Sequence, residues 1–350
     1  MKNCITCNEQ LADHALYCLI CGKKQQAEKA SCRACKKELE PGSNFCNKCG
    51  AKVEAAPAPA AAAPPAAKQG RQAGETAVSP SGIKTVWIPP GTFTMGSPAN
   101  EIGRWSREET QRQVTISSGF WMGVYPVTQQ QWKEVMRSNP SGFNENPADG
   151  ETQERRPVET VSWYDALVFA NRLSAIDGLV PAYSINGSAD PKDWGAVPAS
   201  DNAEWNAAAI VEGSTGWRLP TEAQWEFAAR AGTSTAFSNG EVSWENKGEL
   251  DGIGWFDFNS GSMTHAVGRK AANPWGLHDI HGNVWEWVWD WFGTYPAQAQ
   301  TDPKGAPSGS ARVLRGGCWI VSARNARSAD RVFDSPFFRV YVVGLRLLRP

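Results

Sequence analysis

Eight cysteines in the first fifty residues form the most chemically informative pattern of this 350-residue sequence. They are four Cys-x-x-Cys pairs, with ten residues between the two pairs of each half: Cys4, Cys7, Cys18, Cys21, then Cys32, Cys35, Cys46, Cys49. A Cys-x-x-Cys turn places two sulfurs on one side of a knuckle, and two knuckles complete a tetrahedral thiolate cage that suits zinc. Gly22 and Gly50 follow the last cysteine of each half, where the knuckle needs a permissive backbone. The pattern predicts two structural zinc ions.

Disulfide bonds are the alternative use of these cysteines. The N-terminal MKNCITC lacks the apolar stretch of a signal peptide, and no segment is long and apolar enough to span a bilayer. We therefore expect a cytoplasmic protein without membrane contact, whose thiols stay reduced unless metal binds them. Each half is too small to bury a core, so metal binding should supply its folding energy. The repeat resembles the double zinc ribbon family.

The function of the zinc unit is less sharply predicted than its metal. Its lysines include Lys23, Lys24, Lys36 and Lys37, which could contact nucleic acid. A solvated surface is the simpler interpretation, because the net charge of the whole chain is −1 and gives no case for bulk electrostatic binding. We favour docking to a protein partner or self-association, and we regard nucleic-acid binding as the weaker alternative.

The zinc unit is the first of three predicted segments. Residues 1–52 form the double zinc ribbon, and residues 53–82 are an Ala/Pro-rich stretch without aromatic side chains. Such a stretch cannot bury a core and should be a flexible linker. Residues 83–350 have the length and the aromatic content of one globular domain.

The elements of the large domain follow from capping and periodicity. Helices are predicted to begin after Thr128, Ser162 and Thr221, with capping boxes at the first and third. Short β patterns at 86–96, 112–123 and 312–317 alternate with loops dense in Gly, Pro and Asn. The alternation of aromatic and polar residues over 282–287 is typical of a half-buried strand. The fold class is α+β with much irregular structure.

Seven segments of the large domain carry a family resemblance. They are GTFTMGS at 91–97, FWMGVYPVT at 120–128, RPV at 156–158, WRLPTEAQWE at 217–226, GLHDIHGNVWEW at 276–287, RGG at 315–317 and GLR at 344–346. In this order they resemble the formylglycine-generating enzyme (sulfatase-modifying factor) domain. The resemblance covers about residues 83–350 and implies the C-type lectin fold of that family.

The resemblance also implies where an enzyme of this family would hold copper. Its two copper-binding cysteines follow the glycine pair, and the matching positions here are Val321 and Ala326. Neither side chain can ligate copper, and Cys318 is displaced from both. The three-histidine iron site of the related sulfoxide synthases lies in a helical domain that this sequence lacks. We therefore predict a protein without copper that is not an enzyme.

A calcium site of the family can be carried over residue by residue. The resemblance implies ligands at Asp279, Gly282, Val284 and Glu286, as two carboxylates and two backbone carbonyls. Hard oxygen ligands of this kind suit calcium. The alternative is a Glu286 that is hydrogen-bonded inside the core, and the sequence leaves the two interpretations open.

The C-terminal region, about residues 313–350, divides into a constant frame and interspersed filler. The frame is Arg315, Gly316, Gly317, Trp319, the residues at 323–329, Arg331, Pro336, Arg339 and 344–346. The filler, which we call the variable face, comprises Cys318, Ile320, Val321, Ser322, Val332, Phe333, Asp334, Phe337, Phe338, Val340, Tyr341 and Val342. This layout resembles the variable region of proteins diversified by retroelements, which mutate adenines while copying a template.

Codon arithmetic agrees with that resemblance. Changing only the adenines of an AAC codon can give Ile, Val, Ser, Phe, Asp or Tyr, but not Lys, Glu, Gln, Met or Trp. Adenine changes of this kind can produce every filler residue, and Cys318 can arise in the same way from a serine codon. The run Val-Tyr-Val-Val alone would suggest a buried strand. The apolar residues, however, come in twos and threes and are interrupted by Pro336 and Arg339, which favours a surface loop.

Three functions are therefore considered. The favoured one is a non-catalytic recognition protein whose variable face binds a protein or other macromolecule, with the zinc ribbons as a docking or oligomerisation module. The second is an oxidase of the formylglycine-generating type with altered chemistry, for which Cys318 is the candidate thiol. The third is a regulatory protein whose ribbons bind nucleic acid.

Overall fold

The structure, a computed structural model, describes residues 2–3, 10–11, 35, 37, 45–46, 48–50, 71–104, 109–240 and 250–350. The chain divides into two compact units, Met1–Gly70 and Arg71–Pro350. In the first unit, strand β1 (Lys2–Asn3) pairs antiparallel with β2 (Gln10–Leu11). Among the described residues, none of the helices has both the length and the apolar character needed to cross a membrane.

The second unit begins earlier than the predicted boundary at residue 83. Strand β3 (Thr76–Val78) pairs antiparallel with β4 (Lys84–Ile88), so residues assigned to the linker belong to the folded unit. Arg71 also lies over the rings of Trp87 and Trp121, at 5.1 and 5.2 Å. The Ala/Pro/Gly-rich composition concealed this, because a three-residue edge strand leaves almost no periodicity to detect.

In the described part of the second unit, the strands form four small sheets. The remaining strands are β5 (Gly91–Met95), β6 (Arg112–Ile116), β7 (Phe120–Gly123), β8 (Tyr183–Ser184), β9 (Ala209–Ile210), β10 (Trp285–Trp291), β11 (Gln300–Thr301), β12 (Arg312–Arg315), β13 (Arg331–Asp334), β14 (Val343–Leu345) and β15 (Leu348–Arg349). Their orders are β13-β12-β10-β14, β11-β6-β5, β15-β7-β4-β3 and β8-β9. The β patterns predicted around residues 86–96, 112–123 and 312–317 are confirmed.

The α-helices whose bounds lie within the described residues are α1 (Gln129–Met136), α2 (Trp163–Ile176), α3 (Ala203–Asn206) and α4 (Glu222–Arg230). The predicted caps are present, since Thr128, Ser162 and Thr221 each accept a hydrogen bond from the third residue of their helix. Short 3₁₀ helices span Gln153–Arg155, Pro191–Asp193 and Ala323–Ala326. Helices and strands are mixed along the chain, as the α+β prediction requires.

Strand β10 is the centre of the fold and is buried on both faces, not half-buried as predicted. It pairs antiparallel with β12 and parallel with β14. Trp285 and Trp287 lie in the first core cluster, together with α2, whereas Val288 lies in the second, with β4–β7 and α4. Side chains on both faces of the strand are therefore buried, because separate parts of the chain cover it on each side.

Candidate functional site

Three cysteines of the zinc unit are described, and they lie together. The thiols of Cys35, Cys46 and Cys49 are within 4.8 Å of one another. The Cys35 and Cys46 sulfurs are 3.6 Å apart, well beyond a disulfide bond of about 2.05 Å. Four sulfurs at about 2.3 Å from a tetrahedral zinc ion would be separated by about 3.8 Å, so the spacing fits a thiolate cage. Gly50 has a φ of +69° and donates to the Cys46 carbonyl, as a knuckle requires.

The other predicted zinc ligands lie outside the described residues. They are Cys4, Cys7, Cys18, Cys21 and Cys32. Cys32 is the fourth ligand that the sequence spacing predicts for the cluster of Cys35, Cys46 and Cys49.

In the large unit, buried arginines hold the frame of the C-terminal region. Arg315 pairs with Glu226, and Arg331 pairs with Glu222 through two hydrogen bonds of 2.7 Å. Both glutamates lie on α4, so this helix fixes β12 and β13. Bidentate guanidinium–carboxylate pairs of this kind are among the strongest hydrogen bonds in proteins.

A third arginine ties the turn between β12 and β13 to a distant segment. Arg327 is 1% exposed and donates to Glu101 at 2.6 Å and to Glu109 at 2.6 and 2.8 Å. Its guanidinium also lies 3.2 Å from Asp330. The frame is therefore fastened by residues that do not belong to the variable face.

The glycine pair before Cys318 explains the path of the chain at this point. Gly316 and Gly317 have φ values of +98° and +79°. A Cβ on Gly317 would lie 2.9 Å from the Ala326 Cα, so a side chain there would be both strained and crowded. This backbone directs Cys318 inward, where it is fully buried.

Cys318 therefore does not belong to an exposed face, and the prediction that placed it there is wrong. Burial raises the pKa of its thiol to about 12. A buried, protonated thiol is a poor nucleophile and a poor metal ligand. The candidate thiol of the oxidase alternative is thus held in an unreactive form.

The remaining eleven residues of the variable face are all accessible to solvent. Ile320, Phe333, Phe338 and Tyr341 are 50, 52, 42 and 47% exposed. The half-buried ones are Val321, Ser322, Val332, Asp334, Phe337, Val340 and Val342. In contrast, most frame residues are buried; the half-buried exceptions are Ala323, Arg324, Asn325 and Arg339. Frame and filler, separated by sequence alone, therefore differ in exposure.

An aromatic cluster supports one part of this face. Tyr341 lies 5.8 Å from the ring of Trp319 and 6.2 Å from that of Phe143, and Trp319 packs edge-on against Phe143. The Trp319 indole also donates to the Tyr341 carbonyl at 3.3 Å. Trp319 is buried beneath the exposed Tyr341, so a constant aromatic residue carries a residue of the variable face.

Strand β13 presents its residues to two sides. Val332 packs against the first core cluster, whereas Phe333 stacks on Phe292 with ring centroids 4.1 Å apart. Successive side chains of a strand point to opposite faces, and β13 is an edge strand. Phe333 therefore lies on the other side of the sheet from Val332, and the variable residues do not form one flat patch.

The loop after β13 is anchored by a frame residue. Arg339 donates to both carboxylate oxygens of Asp165, at 2.6 and 2.9 Å. Asp165 also completes the capping box of α2. Phe337 and Phe338 lie on the anchored loop, which continues through 342 without regular structure. The run Val-Tyr-Val-Val is thus a loop that enters β14 only at Val343.

The structure adds face residues that the sequence did not single out. The Val321 carbonyl accepts a hydrogen bond from the Asp257 backbone, and the neighbouring Phe258 is 61% exposed. Phe143 borders Tyr341, as described above. No local pattern marks these residues, because the contacts join segments far apart in the chain.

Of the four residues proposed for calcium, Asp279, Gly282, Val284 and Glu286, both carboxylates are engaged in other hydrogen bonds. Both oxygens of Glu286 accept hydrogen bonds from Arg346, at 2.8–3.1 Å, and the Trp225 indole donates to Glu286 at 2.7 Å. A guanidinium in contact with the carboxylate repels a divalent cation. Asp279 accepts from the Gly268 backbone at 2.7 Å, and burial raises its pKa. The interpretation as a hydrogen-bonded core glutamate describes the structure.

Two family models match the chain. The sulfatase-modifying factor enzyme 1-like domain matches residues 71–350, and the double zinc ribbon matches residues 4–50. The first match begins where the second compact unit begins. Both resemblances inferred from the sequence motifs are thereby confirmed, including the C-type lectin-like fold.

Similarity to individual proteins is consistent with these family matches. The structure resembles Treponema denticola variable protein 1 with a TM-score of 0.70 and 39% identity, over 79% of this chain and 99% of that one. The chaperone protein LppX of Paenibacillus barcinonensis is 37% identical over 231 residues, 62% of this chain and 75% of LppX. The formylglycine-generating enzyme of Mus musculus is 29% identical over 267 residues, 68% of this chain and 66% of the enzyme.

Proposed function

The chain belongs to the sulfatase-modifying factor enzyme 1-like family, and we propose that it is a non-catalytic recognition protein within that family. Its ligand would be a protein or another macromolecule, bound at the variable face without Cys318. The double zinc ribbon would hold two zinc ions and dock or self-associate. Because eight thiols kept for metal require a reducing compartment, we place the protein in the cytoplasm.

The observation that carries the proposal is the difference in exposure between frame and filler. Eleven filler positions reach solvent, although five of them also pack against the core, and the arginines of the buried ion pairs that fasten the segment all belong to the frame. A binding surface can change freely only if the fold does not depend on it. Recognition residues on loops of a rigid scaffold are a recurring solution of this kind.

The composition of the face favours a macromolecular ligand. The aromatic side chains of Phe333, Phe338 and Tyr341 are all exposed. Aromatic side chains offer wide contact area at low cost in conformational entropy, and they are enriched at protein interfaces. The likeness to a variable protein of Treponema denticola supports diversification of these positions by a retroelement.

A genomic comparison tests the diversification directly. We expect a reverse-transcriptase gene near the coding sequence, with a non-coding near-copy of its 3′ end. The two copies should differ only where the non-coding copy has adenine, at codons of the eleven exposed positions and of residue 318. Absence of any such repeat, or differences spread equally over frame codons, would refute the proposal.

The role of the zinc ribbon is tested separately on the full chain. Removal of zinc with a chelator should unfold the first unit and shift the mass measured by light scattering if self-association depends on it. The tryptophan fluorescence of the second unit should not change, because all 17 tryptophans follow residue 70. An unchanged mass and unchanged partner binding after complete zinc loss would contradict the role as a docking module.

Little in the structure favours the oxidase alternative. Val321 and Ala326 occupy the positions of the family's copper ligands, and Cys318 is buried with a raised pKa. A direct test is oxygen consumption with a cysteine-containing peptide. Turnover that disappears in Cys318→Ser would overturn the non-catalytic proposal.

A further inference from the structure

A cavity of about 310 Å³ opens beside β6 and β13, on the side of the sheet that carries Phe333. Its lining includes Arg112, Glu222, Trp291, Tyr295, Gln300 and Arg331. None of these belongs to the variable face. The volume is near the lower end of the range for small-molecule sites, so the cavity suits a compact ligand.

Arg112 occupies a core position of β6. Its neighbours on the same side of the strand, Val114 and Ile116, are fully buried, and Arg112 itself is 7% exposed. Its hydrogen bonding within the described chain is confined to the Met95 sulfur, at 3.6 Å, and its Nε has no partner. Its guanidinium instead lies 4.1 Å over the Tyr295 ring. A buried cation without a carboxylate is energetically unfavourable.

The other charges at the cavity do not compensate Arg112. The Glu222 carboxylate binds Arg331 through two bonds of 2.7 Å and lies 3.7 Å from Arg315. The Arg331 guanidinium also lies 4.2 Å over the Tyr295 ring. Glu222 is therefore committed to its own arginines, and one positive charge remains in excess at the cavity wall.

We propose that this cavity binds a small oxyanion, a carboxylate or phosphate group, through the guanidinium of Arg112. Water could solvate the exposed part of the guanidinium, but only an anion also balances the buried charge. Guanidinium forks match carboxylate and phosphate oxygens in geometry. Trp291 and Tyr295 supply aromatic walls, and Gln300 adds an amide at the rim. Residue 333 is not among the residues that line the cavity.

Titration calorimetry of the full chain tests the proposal, with sodium acetate and sodium phosphate as separate probes at constant ionic strength. We expect at least one of them to bind. Arg112→Gln should weaken that binding by at least about tenfold, because a charged hydrogen-bonded pair is lost. The variant should unfold at the same temperature as the wild type or above it, since an uncompensated buried charge is removed.

A second pair of variants protects the test against misfolding of Arg112→Gln. Thr294 is exposed and lines the cavity. Thr294→Glu places a carboxylate at the rim and should weaken anion binding by at least about tenfold, whereas the matched Thr294→Gln should bind as the wild type does. The proposal is overturned if neither probe binds the wild type at millimolar concentration, or if Thr294→Glu and Thr294→Gln bind equally well. The probe that binds more tightly, acetate or phosphate, identifies the group that the site prefers.

Discussion

Replacing Arg327 by methionine should destabilise the second unit far more than replacing a residue of the variable face. Arg327 and its partners Glu101, Glu109 and Asp330 are all buried. Its guanidinium reaches the three carboxylates at 2.6–3.2 Å. Methionine keeps much of the apolar stem but leaves the carboxylates without their cation.

The expected loss of stability differs clearly between Arg327→Met and a substitution on the variable face. Loss of one partner of a buried ion pair costs about 3–5 kcal/mol. Since each kcal/mol lowers the melting temperature of a large unit by roughly 2–4 °C, Arg327→Met should melt at least about 6 °C lower. Ile320 is 50% exposed, so Ile320→Asn should remove roughly 1 kcal/mol of apolar burial. That change corresponds to a shift of about 4 °C or less.

Thermal unfolding followed by tryptophan fluorescence measures this difference. The first unit contains no tryptophan, because all 17 follow residue 70, so the signal reports the second unit alone. Both variants are compared with the full-length wild type under one buffer condition. Equal shifts for Arg327→Met and Ile320→Asn, or a larger shift for Ile320→Asn, would refute the division into a supporting frame and a tolerant face.

Four further outcomes are expected. Burial lowers the pKa of His281 from 6.5 to about 4, and its ring donates to the Ala326 carbonyl while accepting from Ser238. Because only the unfolded chain takes up a proton between these pH values, the free energy of unfolding should fall by roughly 3 kcal/mol from pH 6.5 to 4. Urea titrations measure this loss, and an equally steep loss in His281→Gln would contradict the prediction. The Cys318 thiol should resist a maleimide in the native zinc-bound protein and react on unfolding, as peptide mass mapping can check; native modification would disprove its burial. Calcium at millimolar concentration should leave the melting temperature unchanged, and a rise that disappears in Glu286→Gln would restore the calcium interpretation. Metal analysis should find two zinc ions per chain, and a stoichiometry of one or none would reject the paired sites.

Local features of this protein were predictable from the sequence. The Cys-x-x-Cys spacing and the caps at Thr128, Ser162 and Thr221 all involve residues close in the chain. Such features depend on backbone geometry over one or two turns, which the residue types alone specify. The division into frame and filler was also visible, because it is a property of residue type and order.

Some of the predictions failed where the outcome depends on partners distant in sequence. Glu286 could have been a calcium ligand or a core residue, and only the approach of Arg346 and Trp225, 60 and 61 residues away, decided between them. Cys318 looked like part of the face until the turn at Gly316 and Gly317 directed it inward.

Tertiary structure also decided which strand faces are buried and where a charge lacks a partner. Strand β10 is buried on both faces because separate parts of the chain cover it, and no periodicity within the strand could indicate that. The excess charge of Arg112 appears only when β6, β13 and the segment around Tyr295 meet. The sequence by itself determined the capped helices and indicated the candidate zinc ligands and recognition residues, since each is set by near neighbours. Burial, charge balance and the final shape of the face depend on long-range packing, and only the folded chain decided them.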